Sequence, residues 1–181
     1  MKFHQFVALA SLTFASHSVN AAPKPTKPMP APKAAPAKCD ITLEGTDMMQ
    51  YQIDGKKVDS ITVPLSCKEF VVTLNFTGKL PKGVMGHDFV LTATADAKAV
   101  ADEASKLGPV PKGYLPDAND MKKAPFNKIL AKGDLLLGAD GPKTEKITIS
   151  TKKLKADGKY TFFCTFPGHF AMMQGVLKVV K

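Results

Sequence analysis

Lys159-Tyr-Thr-Phe-Phe-Cys164-Thr-Phe-Pro-Gly-His169-Phe-Ala-Met-Met173-Gln-Gly-Val176-Leu-Lys-Val-Val180 carries two strand patterns around one turn. Alternation from Lys159 puts Tyr160, Phe162 and Cys164 on one face, and Val176 to Val180 is a β-branched run. Pro167-Gly168 marks the return between them. The stretch also gathers a thiol, an imidazole and a thioether in Cys164, His169 and Met173. Soft sulfur with borderline nitrogen is a donor set suited to copper.

Working outward, further strand signals recur at short spacing: Ile41–Leu43, Met49–Ile53, Phe70–Phe76, Phe89–Thr92 and Lys146–Ser150. Asp54-Gly55 and Ala156-Asp157-Gly158 read as turns between strands. One segment differs: Ala95 to Leu107 is alanine-rich, follows Thr94 as a cap and stops at Gly108-Pro109, so it predicts a short inserted helix. The sum predicts an all-β, antiparallel sandwich or barrel with one helical excursion around residues 95–107. In such a fold the loops of one end cluster in space, so His87, just before the strand at Phe89, can meet Cys164, His169 and Met173 at one pole.

Residues 1–21 open with Lys2, continue with an apolar run from Phe6 to Ala15 and end at Val19-Asn20-Ala21, which predicts a secretory signal peptide cut after Ala21. The apolar run is shorter than the ~20 residues of a membrane span, so an exported chain that is not an integral membrane protein is expected. Residues 22–38 are built almost wholly of proline, lysine and alanine and predict an extended, semi-rigid linker. Residues 39–181 have the length expected of one domain. Of the 25 basic residues, all lysines, five (Lys2, Lys24, Lys27, Lys33, Lys38) precede it, leaving 20 against the 16 acids of the chain. Basicity is thus partly a tail effect, and lysine without arginine speaks against nucleic acid, where guanidinium forks are expected.

Removal of residues 1–21 takes His4 and His17 with it and leaves two histidines, His87 and His169. Three cysteines in an oxidising space leave one unpaired. Cys39 and Cys67, which open two strands, are the natural pair, although the sequence leaves other pairings open. Cys164 is then the odd thiol, and ligation as a thiolate would protect it.

Cys39-Asp-Ile, Leu80-Pro-Lys-Gly-Val-Met-Gly-His87 and Phe162-Phe-Cys-Thr-Phe-Pro-Gly-His169 with Met173 together resemble the azurins, small bacterial blue-copper proteins of the cupredoxin family. The resemblance covers residues 39–181. It implies a Greek-key cupredoxin-like sandwich that holds one copper, cycling between Cu(I) and Cu(II). His87, Cys164 and His169 are the implied strong ligands, Met173 a long axial one, and the Gly86 carbonyl a weak one opposite. A Cys39–Cys67 disulfide is likewise implied, as are extra residues around Asp54–Asp59 in a surface hairpin. The implied function is periplasmic electron transport without substrate turnover, through transient complexes with redox proteins such as c-type cytochromes and copper nitrite reductase. Leu80, Val84, Met85, Gly168, Phe170, Ala171 and Met172 would form the apolar docking patch around His169, with Phe166 packed beneath.

Two positions depart from the azurin pattern. Asp88 stands where asparagine is usual, and a buried carboxylate there needs protonation or a hydrogen bond, for example from Thr165; a flexible site or a pH-dependent reduction potential is expected. Phe89 replaces a common buried tryptophan. Two other classes compete with an electron carrier. A copper-delivery module would favour exposed Met and His clusters, and a multicopper enzyme would need more histidines.

Overall fold

The structure is a computed structural model that describes residues 38–108, 110 and 113–181. The expected signal peptide, residues 1–21, and all of the linker except Lys38 lie outside the described residues. Alternating sequence becomes alternating burial: β5 (Glu69–Phe76) and β12 (Gln174–Val180) bury every second side chain. Two five-stranded sheets face each other as a sandwich. The first runs in the order β10 (Thr144–Ser150), β5, β1 (Asp40–Thr46), β2 (Gln50–Ile53), β3 (Lys56–Lys57). The second runs β4 (Ser60–Pro64), β12, β11 (Tyr160–Phe163), β7 (Val90–Ala93), β8 (Ile129–Lys132). A two-residue ladder, β6 (Gly86–His87) with β9 (Leu136–Leu137), stands apart from both.

The sheets are mixed, which corrects the antiparallel expectation. β1 pairs parallel with β5, from Asp40↔Val71 to Gly45↔Phe76, and β4 pairs parallel with β12. Parallel neighbours require a crossover, and the chain makes one by leaving the first sheet after β3 and entering the second at β4. The β2–β3 hairpin turns on Asp54 (φ 50°) and Gly55 (φ 72°), two left-handed residues of the kind an Asp-Gly turn favours. Met49 has φ 54° and so belongs to the preceding turn rather than to the strand.

The helix α1 spans Thr94–Lys106 and buries Ala97, Val100, Ala101 and Ala104. Thr94 does not cap it: Ala93 holds the cap position with no side-chain bond. Because α1 starts directly off β7, Thr94 sits in its first turn, and the Thr161 hydroxyl lies 3.0 Å from that of Thr94. The buried residues of α1 pack with Val90 and Phe163, which is why β11 is buried on both faces. The main core lies between the sheets and includes Tyr51, Phe70, Phe89 and Phe162. Among the described residues no helix is long and apolar enough to cross a membrane.

Strand direction defines two poles. β1 and β5 both start beside the Cys39–Cys67 disulfide, whose Cα atoms are 5.6 Å apart, and both run toward Gly45 and Phe76 at the opposite end. Cys164 follows β11 at that second end.

Candidate metal centre

Cys164 leaves β11 and its amide donates to the Met173 carbonyl at 3.1 Å, closing the base of the loop. Inside it, the His169 amide donates to Phe166 O at 3.0 Å and the Met173 amide to His169 O at 2.7 Å. Gly168 takes φ 82°, a conformation that costs other residues a steric penalty. The tight turn aims Cys164 and His169 inward together, and β6 delivers His87 from the other side through its ladder to Leu136.

The ligand atoms of His87, Cys164 and His169 lie within 4.8 Å of one another, and all three residues are buried. Cys164 Sγ is 3.6 Å from His169 Nδ1 and 3.9 Å from Gly86 O. His87 Nε2 meets Thr46 O at 2.9 Å, which assigns the ring proton to Nε2 and leaves a lone pair on Nδ1. That Nδ1 is buried without a hydrogen-bond partner, a costly arrangement unless something else takes the lone pair. Met173 is wholly buried whereas Met172 is 50% exposed, so of the two sulfurs only that of Met173 lies inside.

Burial sets the protonation of the metal-free site. It lowers His87 to about 4, with His169 nearby adding to the effect, and it lowers His169 to about 4. Burial, then the charge of Asp88, pushes the Cys164 thiol well above its ordinary value. Both imidazoles therefore offer lone pairs at neutral pH, while the thiol must surrender a proton to become a ligand.

Asp88 is buried, and burial raises its pKa against two opposing hydrogen bonds from Thr165. The Thr165 amide donates to Oδ1 at 2.6 Å, and its hydroxyl to Oδ2. This ties the His87 segment to the Cys164 loop. Phe89 is fully buried and stacks on Phe162 at 5.5 Å. Of the residues expected around His169, Leu80 (38%), Val84 (57%) and Met172 (50%) are exposed, as are Gly168 and Ala171, with Phe166 and Phe170 half-buried. Met85 is not on that surface: it is 5% exposed and packs in the core, drawn in as its amide bonds Pro81 O at 3.1 Å. His169 itself is 3% exposed, so its ring edge is sheltered.

Sequence reading missed Thr46, Phe76 and Tyr51. Phe76 stacks on His87 at 5.3 Å, and the Tyr51 hydroxyl donates to Asp88 O at 2.5 Å. None of the three has a local motif; strand pairing alone brings them to the site.

The model of copper-binding proteins of the plastocyanin/azurin family matches residues 37–180. The chain belongs to that family. Among plastocyanin/azurin relatives, it is 40% identical to azurin of Pseudomonas fluorescens biotype C over 141 residues, 78% of this chain and 98% of the relative. It is 42% identical to azurin of Bordetella pertussis over 144 residues, 80% and 85% of the two chains. A solved azurin (Az-iso2) of Methylomonas sp. strain J superposes with a TM-score of 0.64 at 32% identity, covering 80% of this chain and all of that one. The metal of this family is copper, and the donor set fits it: one thiol and two neutral imidazoles, one with an otherwise orphaned nitrogen.

Proposed function

We propose that this protein is an exported one-electron carrier with a mononuclear blue-copper centre. The observation that carries the reading is the unpartnered His87 Nδ1 inside a buried Cys-His-His cluster. His87 Nδ1, Cys164 Sγ and His169 Nδ1 would hold the metal, with the Met173 thioether and Gly86 O as weaker donors. A His2Cys set with a weak axial thioether serves both copper oxidation states. The protein's part is to hold these groups still. Thr46 pins one imidazole, the 165–173 turn pins the other, and Thr165 bonds the two ligand segments through Asp88. Binding a metal would release the Cys164 proton, so affinity is expected to rise with pH.

The role is electron transfer; a multicopper enzyme would need further histidines for a second copper, and residues 39–181 contain only the two that this site uses. Partners are redox proteins such as a c-type cytochrome or a copper nitrite reductase, met transiently in the periplasm after removal of residues 1–21. Leu80, Val84 and Met172 with Gly168, Phe170 and Ala171 supply an apolar surface for such brief encounters.

Adding copper(II) to the metal-free protein tests the core of this reading. An intense band at roughly 600 nm is expected for a copper–thiolate site, lost in Cys164→Ser; a colourless product with tetrahedral zinc preferred would overturn it. For the surface, Met172→Lys is expected to slow electron exchange with a cytochrome while leaving the band in place.

A further inference from the structure

Gly45 and Phe76 are partners in the parallel pairing of β1 with β5, so their side chains belong to one face, side by side. Gly45 has none, and the imidazole of His87 fills the gap: a Cβ at Gly45 would lie 2.7 Å from His87 Cδ2 and 2.9 Å from Cγ. Gly45 is not among the positive-φ glycines. It is close approach, not backbone conformation, that demands glycine here. Phe76 forms a wall of the same slot, its ring 5.3 Å from the imidazole and tilted by 28°. Thr46, next along β1, closes the end with the carbonyl that meets Nε2 at 2.9 Å. With Cδ2, Cγ, the ring face and Nε2 all engaged, Nδ1 is the ring atom left without a partner.

We propose that Gly45 and Phe76 are positioning residues that set the plane of His87 in the metal-free protein, so that Nδ1 already faces Cys164 and His169 when copper arrives. The inference rests on the copper reading above, but its subject is the placement of a ring that exists before metal binding. An outer contact that orients a ligand commonly changes metal affinity 10- to 100-fold, by removing the need to immobilise the ring on binding.

The test follows the Nε2–H proton of His87 by NMR in the metal-free chain and titrates copper(II) into the same samples. Gly45→Ala is expected to abolish the protected Nε2–H signal and to weaken copper binding by about tenfold or more. Gly158→Ala is the control. It drives a Cβ to within 2.4 Å of the Tyr160 ring far from His87, and is expected to cost stability without moving the His87 signal. Should Gly45→Ala fail to fold, Phe76→Leu decides, since it opens the slot without adding bulk; it is expected to broaden the His87 resonances and weaken copper binding, and Phe76→Tyr to restore both. Wild-type signals and affinity in Phe76→Leu, or equal loss of affinity in Gly158→Ala, would overturn the proposal. Failure of the copper reading would look different: no thiolate band in the unsubstituted protein, with the Nε2–H signal unaffected.

Discussion

Asp88 places a carboxyl group one residue beyond His87, a proposed copper ligand, fully inside the protein, with both oxygens held by Thr165. Twin bonds make a fixed brace rather than a loose one. Asp88→Asn keeps an oxygen for the Thr165 amide but removes any negative charge. If the carboxylate is ionised its charge favours Cu(II), so the reduction potential is expected to rise, on the order of tens of millivolts at protein-like dielectric. Voltammetry that finds no change would show Asp88 to be neutral in the native protein. Asp88→Ala instead orphans a buried amide and hydroxyl and is expected to cost about 2–3 kcal/mol in chemical unfolding. Cys164, His169 and Met173 were legible because one turn presents them in one sequence window. Gly45, Thr46 and Phe76 were not: an unremarkable glycine becomes decisive only once register sets it beside Phe76 and under His87.

Strands were legible in proportion to their length and one-sided burial. β5 and β12 alternate over seven or eight residues, and the period shows in the sequence. β6 and β9 have two residues each and no period, so their existence depends on a partner about fifty positions away. Parallel pairing was hidden for the same reason, since alternation reports a face and not a direction. Gly175 illustrates an element-level constraint. It lies opposite Phe162, and a Cβ there would come within 2.3 Å of the Phe162 ring. Gly175→Ala is expected to push that ring off its packing with Tyr51 and Phe89 and lower stability by about 1–3 kcal/mol, read as a lower urea midpoint.

On the scale of the whole molecule, the two poles divide the work. The disulfide closes a 28-residue separation at one end, and the chain-entropy model assigns such a loop about 3–4 kcal/mol. Cys39→Ser with Cys67→Ser is expected to lower the thermal midpoint while leaving the copper(II) spectrum unchanged; a shifted spectrum would show the ends to be coupled. At the other end, two imidazoles with folded pKa about 4 compare with about 6.5 in an unfolded chain. Below ~6.5 each histidine binds its proton more readily in the unfolded chain, so their contribution to metal-free stability falls as pH drops toward ~4, by up to about 3 kcal/mol for His87 and less for His169. This is offset in part by Asp88, whose raised pKa favours the folded state at low pH. Thermal melts of the metal-free protein across that interval check it, and a flat midpoint would refute it.

Separation of the sulfurs also bears on how the chain is made. Cys39 and Cys67 are consecutive thiols, so export N-terminus first, as proposed above, would bring both to an oxidising compartment before Cys164. In the folded protein Cys164 is wholly buried at the far pole, so exchange with the bridge would require the fold to open. Order of appearance and burial together would then disfavour mispairing and leave the last thiol free.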